Sequence, residues 1–136
     1  MRDALKSLFK LIVCSSIVAG ALVFTHATTA LANKTAVAIS APASAAPGSE
    51  ITIQVTATHN ANNFLHYTNW LYVMVNGKEI ARWNYTRTNK PESSVFTREI
   101  KYTVTDSIEI KAEGHCNMHG SKGPATAKVS VATTAN

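Results

Sequence analysis

The chain has 136 residues and a formal net charge of +5, from 13 lysines and arginines against 8 aspartates and glutamates. That length suits a single domain. The basic residues are scattered along the chain, whereas a nucleic-acid-binding protein clusters its positive charge in a patch. We therefore expect no nucleic-acid partner.

The first 32 residues have the pattern of a secretory signal peptide. An apolar run at 11–24 follows a basic start, and Ala30-Leu31-Ala32 is an A-x-A cleavage site. The run is short for a membrane span. We expect a signal peptide over residues 1–32 and a mature domain over 33–136. The mature protein would be periplasmic or secreted, with no stable membrane association.

Cleavage would leave Cys116 as the only cysteine, because Cys14 lies in the signal region. Ten basic and seven acidic residues would remain, for a net charge of +3. Exported proteins usually pair their cysteines in disulfides. A single exported thiol is instead expected to be buried, bound to a metal or paired between chains.

The mature part has β-strand patterns from end to end. Residues 50–58 alternate, with Ile51, Ile53, Val55 and Ala57 on one face. Asn76-Gly77 is a strong hairpin signal, and 41–48 is a predicted loop containing two prolines and a glycine. The predicted strands are 36–40, 50–58, 70–75, 79–85, 95–104, 108–112 and 125–132.

No segment shows a convincing helical period. About seven short strands in about 100 residues, separated by turn signals, predict an all-β fold. The pattern is typical of an immunoglobulin-like antiparallel β-sandwich.

The residue types that bind metals are concentrated in two predicted loops. Cys116 and His119 lie in a glycine-rich segment, and His59 and His66 lie in an asparagine-rich segment upstream. A thiolate and an imidazole three residues apart can hold one soft or borderline metal ion. Both loops follow strands, so a sandwich can bring them together at one end. His115 is the remaining mature histidine, but adjacent residues of an extended segment point to opposite sides.

The residues alone leave several functions open. Two or three histidines with one cysteine suit copper, although the axial methionine expected after the second histidine is missing, since Met118 precedes His119. A tetrahedral zinc site is chemically feasible. A binding module with incidental histidines, or a cysteine nucleophile, has less support in the sequence.

Three segments of the chain resemble the superoxide reductase (desulfoferrodoxin/neelaredoxin) family. Cys116-Asn117-Met118-His119-Gly120 resembles its C-N-x-H-G signature, and His66-Tyr67-Thr68-Asn69-Trp70-Leu71 resembles its H-Y-x-x-W-I segment. His59 is similar to the first histidine of its H-P-x-x-x-x-H motif. The resemblance runs from Thr58 to Gly120 in the family's order.

The resemblance implies an immunoglobulin-like sandwich with a mononuclear non-haem iron. His59, His66 and His119 would be equatorial ligands and Cys116 the axial, catalytic one. The activity implied is reduction of superoxide, or a related small oxidant, to hydrogen peroxide with an external electron donor. Members of this family often associate, so a homo-oligomer is a further expectation.

The chain departs from the family pattern in three ways. The family's first histidine ligand belongs to an E-K-H-x-P segment, but the corresponding residues 35–42 contain no histidine. The lysine of that segment is also unmatched, although Lys34 is nearby. Six residues rather than five separate His59 from His66, and Asn60 replaces the proline. The alternative is therefore a non-catalytic iron or copper protein for electron transfer or metal binding on the same scaffold.

Overall fold

The computed structural model of the chain describes residues 33–131. These residues form eight β-strands and no helix, so the all-β prediction is confirmed. The described residues therefore include no helix that could cross a membrane. The strands are β1 (Ala36–Ser40), β2 (Ser44–Ala45), β3 (Ser49–Thr58), β4 (Thr68–Val75), β5 (Lys78–Asn84), β6 (Val95–Val104), β7 (Ile108–Cys116) and β8 (Ala125–Val131).

The strands form two sheets, in the orders β1-β3-β6 and β2-β8-β7-β4-β5. In the larger sheet, β8, β7 and β4 lie in the order of the G, F and C strands of an immunoglobulin-type sandwich. All strand pairs are antiparallel except β2 with β8, which run parallel. The predicted antiparallel sandwich thus includes one short parallel pair, at the edge of the larger sheet.

β2 is the one strand that the sequence analysis did not predict, and it lies inside the segment predicted to be a loop, 41–48. After β1 the chain leaves the smaller sheet at Pro42 and reaches the edge of the larger one, where Ser44 pairs with Ser130. The backbone amide of Ser130 donates to the carbonyl of Ala43 at 3.0 Å. Two residues are too short a strand to leave a pattern in the sequence, and pairing with β8 alone defines it.

The core lies between the sheets. Ile51, Ile53, Val55 and Ala57 of β3 are all buried, as their alternation predicted. The larger sheet contributes alternate residues of β4 and β7 to the same core: Leu71, Val73, Val75, Ile108, Ile110 and Ala112. Burying an aliphatic side chain of this size stabilises a fold by roughly 1.5–3 kcal/mol. This core makes a rigid support for the loops at its ends.

The predicted hairpin joins β4 to β5 at Asn76-Gly77, with φ angles of 48° and 80°. Two successive positive φ angles fit the tight two-residue turn that the Asn-Gly pair favours. The side-chain oxygen of Asn76 also accepts the backbone amide of Glu109 at 2.8 Å. The turn is thereby attached to the start of β7.

β7 continues four residues beyond its predicted end, so Cys116 is its last residue rather than part of a loop. β4 imposes the extension, because Thr68 pairs with Cys116 and Leu71 pairs with Gly114 across the ladder. Gly114 allows close packing here: a Cβ on it would lie 2.8 Å from the Thr35 methyl group. The extended backbone buries Cys116 and turns His115 to the other side of the sheet.

Candidate metal centre

The turn after β7 wraps around the sulfur of Cys116. Gly120, at φ 82°, exchanges two backbone hydrogen bonds with Cys116, both 3.0 Å long. The amides of Met118 and His119 each lie 3.4 Å from Sγ and point their N–H groups at it. The same turn brings His119 Nδ1 to 3.9 Å from Sγ.

A tight turn in the β3–β4 loop presents His66. The side-chain oxygen of Asn63 accepts the amides of Leu65 and His66, at 3.0 and 2.9 Å. The backbone amide of Asn63 in turn donates to the His66 carbonyl at 2.8 Å. Such side-chain-to-backbone bonds are what asparagine contributes to turns. They hold the imidazole of His66 toward the sulfur.

Asn117 fastens the two loops together. Its side-chain oxygen accepts the amide of Tyr67 at 2.9 Å, and its side-chain nitrogen donates to the Leu65 carbonyl at 3.0 Å. Its backbone amide donates to the Tyr67 carbonyl at 3.0 Å. The predicted meeting of the two loops at one end of the sandwich is therefore observed, and Asn117 fixes their distance.

The nitrogen atom Nε2 of His66 is at the centre of the cluster. It lies 2.9 Å from Cys116 Sγ, 3.2 Å from His59 Nε2 and 2.9 Å from His119 Nδ1. The ligand atoms of His59, His66 and Cys116 all lie within 4.8 Å of one another and could hold a metal ion. His119 joins the group through its contacts with His66 and Cys116. The structure thus brings all four residues singled out in the sequence to one place.

The orientation of His59 is set by Asn62. The Asn62 side chain donates to the Ser93 carbonyl at 2.7 Å and accepts the Thr68 amide at 2.8 Å, which fixes its oxygen as the acceptor. That oxygen lies 3.1 Å from His59 Nδ1, so Nδ1 carries the proton. In the neutral form of His59, whose single N–H is then at Nδ1, Nε2 presents its lone pair to the cluster. Ligand histidines are commonly oriented in this way by their second nitrogen.

The nitrogen and sulfur atoms of the cluster lie so close together that one shared metal ion would satisfy them better than protons would. Burial lowers the pKa of His66, and the neighbouring His59 and His119 lower it further. The three contacts of His66 Nε2, at 2.9, 3.2 and 2.9 Å, place two nitrogens and one sulfur around it, near enough to share one ion. Imidazole nitrogens with one thiolate are a donor set for iron, zinc or copper.

The site is closed on one side and open on the other. Cys116 and His59 are fully buried, with 0% and 1% of their surface exposed, whereas His66 and His119 are half-buried. A small molecule from solvent would therefore reach the centre on the His66 and His119 side.

His115 belongs to a different environment on the outer face of the larger sheet. Its ring stacks on Trp70, with centroids 4.9 Å apart and an interplanar angle of 15°. Its Nδ1 lies 3.0 Å from the side-chain oxygen of Asn69. The alternation of β7 places it opposite Cys116, so it is not brought to the cluster.

Sequence reasoning missed three asparagines that shape the site. Asn62 orients His59, Asn117 joins the two loops, and the carbonyl oxygen of Asn33 lies 2.9 Å from His59 Nε2. Asn117 is part of the C-N-x-H-G signature, which gave a signal for it. The asparagine-rich composition of 59–69 hinted at Asn62. No sequence signal points to a backbone carbonyl.

The comparisons with known proteins identify a family for most of the chain. The Desulfoferrodoxin family model matches residues 27–122. No curated protein matches the sequence of the chain.

Solved structures resemble the fold at low sequence identity. The superoxide reductase (neelaredoxin) of Ignicoccus hospitalis has a TM-score of 0.57 at 19% identity, over 73% of this chain and 83% of that one. A Thermotoga maritima protein whose proposed activity is superoxide reduction has a TM-score of 0.55 at 19% identity, over 72% and 86%. The sulfur carrier SoxY of Chlorobium limicola has a TM-score of 0.54 at 12% identity, over 71% and 79%. Proteins of different function share this fold, so the residues of the site must carry the functional argument.

Proposed function

Because this chain belongs to the desulfoferrodoxin family, we propose that it is an exported non-haem iron protein that reduces superoxide to hydrogen peroxide. The observation that carries the proposal is the convergence of His59, His66 and Cys116, with ligand atoms within 4.8 Å. His119 adds a nitrogen 2.9 Å from His66 Nε2.

His59, His66, His119 and Cys116 would hold the iron, which supplies one-electron chemistry when bound. Reduction of one superoxide consumes one electron and two protons and yields one hydrogen peroxide. The electron comes from an external donor, and solvent supplies the protons. Superoxide would enter on the half-buried side formed by His66 and His119.

The protein's own groups tune the centre. The amides of Met118 and His119 direct their N–H groups at the Cys116 sulfur, both at 3.4 Å. They disperse part of the thiolate charge, and hydrogen bonds to a ligand sulfur are a recognised control of redox potential. Asn62 keeps the lone pair of His59 directed at the centre. Such supporting bonds commonly change metal affinity by about 10–100-fold when they are removed.

Export and a periplasmic or secreted location are part of the same proposal. They are supported by the basic and apolar pattern of residues 1–32 and by the Ala30-Leu31-Ala32 cleavage site. Cell fractionation, with mass spectrometry of the purified chain, tests them.

The activity is tested by elemental analysis and visible spectra of the purified protein before and after oxidation. We expect about one iron per chain, a colour that appears on oxidation, and one hydrogen peroxide per superoxide consumed without release of dioxygen. Dioxygen release alongside peroxide would indicate dismutation instead. Copper or zinc without a response to superoxide would mean that the scaffold serves electron transfer or metal binding.

A further inference from the structure

The segment before β1 is fixed against the Cys116 turn. Thr35 is fully buried, and its hydroxyl lies 3.0 Å from that of Thr68. The Thr35 amide donates to the Gly120 carbonyl at 3.2 Å, and the Lys122 amide donates to the Thr35 carbonyl at 2.9 Å. These three contacts position the residues that precede Thr35, of which Asn33 reaches the metal cluster.

Asn33 meets the cluster through its main chain. Its carbonyl oxygen lies 2.9 Å from His59 Nε2. The same Nε2 atom lies 3.2 Å from His66 Nε2. The Asn33 carbonyl oxygen is therefore next to the nitrogen atoms that would hold a metal ion, and it is an oxygen donor that the same ion could bind.

The predicted cleavage site lies directly before Asn33. Hydrolysis after Ala32 adds water across the Ala32–Asn33 bond, leaving a carboxylate on Ala32 and an α-amino group on Asn33. The amino nitrogen and carbonyl oxygen of one residue can bind the same ion, closing a small ring through Cα and the carbonyl carbon. The amino group loses its extra proton to solvent when it binds.

We propose that Asn33, as the first residue of the processed chain, completes the metal site with its α-amino nitrogen and its carbonyl oxygen. The inference rests on the proposed metal site. It supplies a nitrogen ligand in a chain whose residues 35–42 contain no histidine. Removal of residues 1–32 would then be needed for full metal affinity, because the Asn33 nitrogen of an uncleaved chain is an amide and a poor ligand.

The test expresses the full chain with its leader in an exporting host and compares three forms. The first is the natural sequence. The second carries Gly-Ser inserted between Ala32 and Asn33, which converts the Asn33 nitrogen to an amide. The third is Asn33→Ser, a matched control that changes the side chain but keeps the amine and the carbonyl. Mass spectrometry establishes the first residue of each purified chain, and thermal unfolding checks the fold.

Iron(II) affinity is measured by competition with a chelator, without any assay of activity. We expect the insertion to weaken binding by at least about tenfold, with Asn33→Ser within about twofold of the natural chain. In protein grown with ¹⁵N-asparagine, a magnetic coupling between the iron and a labelled main-chain nitrogen is expected in the natural chain. It should be absent after the insertion.

The outcomes separate this inference from the proposed function. Equal iron affinity with and without the insertion, and no coupling from the label, would overturn the role of Asn33 and leave the metal site intact. A natural chain processed at another residue would overturn it too. Failure of every form to bind iron would overturn the metal site itself.

Discussion

Two histidine-containing regions lie back to back across β7, and they differ in how their polar atoms are satisfied. The metal cluster consists of His59, His66, Cys116 and His119. The outer cluster consists of Trp70, Tyr72, Arg82, Glu113 and His115, on the other face of the same sheet.

In the outer cluster, hydrogen-bond donors face acceptors. The Tyr72 hydroxyl donates to Glu113 at 2.8 Å, and burial followed by this bond raises the pKa of Tyr72. Arg82 lies 5.3 Å from the centre of the Tyr72 ring and donates to Glu79 at 2.9 Å. His115 bonds to Asn69. These contacts close the cluster without a ligand.

In the metal cluster, lone pairs converge instead. His66 Nε2 has three neighbouring ligand atoms within 3.2 Å and can carry at most one proton. The comparison shows that a histidine becomes a candidate ligand through what faces it rather than through its presence near a cysteine in the sequence. His115 is next to Cys116 in the chain and still belongs to the outer cluster.

Cys116→Ser should have the largest effect. It removes the thiolate, so the colour from thiolate-to-metal charge transfer should vanish and iron affinity should fall by at least about tenfold. The fold should persist, because serine nearly matches cysteine in size. Visible spectroscopy and chelator competition measure this. A colour that persists in the variant would show that the sulfur is not a ligand.

His66→Ala and His115→Ala test the comparison directly. We expect His66→Ala to lower iron affinity by at least about tenfold, because it empties the centre of the metal cluster. His115→Ala should change iron affinity by less than about twofold, because its ring lies on the other face. Iron content and competition titrations of both variants measure these effects. A larger loss of affinity in His115→Ala than in His66→Ala would place His115 at the metal.

Asn62→Ala removes the bond that orients His59, together with the bonds to the Ser93 carbonyl and the Thr68 amide. Losing the bond that orients His59 should lower iron affinity by about tenfold, a smaller effect than removal of His66. Asn69→Ala is the matched control, because it removes the corresponding bond from His115 in the outer cluster. Equal effects of the two variants would contradict a role for Asn62 in orienting a ligand.

Gly114→Ala tests the close packing between the sheet and the segment before β1. A methyl group would lie 2.8 Å from the Thr35 side chain, and such overpacking typically costs about 1–3 kcal/mol of unfolding free energy. Urea unfolding of the metal-free protein measures the cost. A variant as stable as the natural protein would mean that the segment near Thr35 moves freely.

Tyr72→Phe should have the smallest effect and be confined to the outer cluster. Loss of the bond to Glu113 should reduce the unfolding free energy by about 0.5–1.5 kcal/mol, with iron affinity unchanged. Urea unfolding and competition titration measure both quantities. A change in iron affinity would show that the two clusters are coupled through β7.

Much of the fold could be predicted from local patterns. The alternation of residues 50–58 placed four core residues correctly, and Asn76-Gly77 placed the hairpin. β2 and the last four residues of β7 were missed, because strand pairing rather than their own composition creates them. The candidate ligands were found because cysteine and histidine are rare in this chain and occur in family-like spacing.

The all-β class, the family resemblance and the sulfur and imidazole donors could all be predicted from the chain alone. Periodicity and residue chemistry are local properties, so they can be read along the chain. The three-dimensional fold was needed to show that His115 faces away, that Asn62 and Asn117 fix the geometry, and that the carbonyl of Asn33 reaches His59. Those facts depend on strand register and on contacts between distant segments. Every residue has the same backbone carbonyl, so only the folded structure shows which carbonyl lies next to a metal-binding side chain.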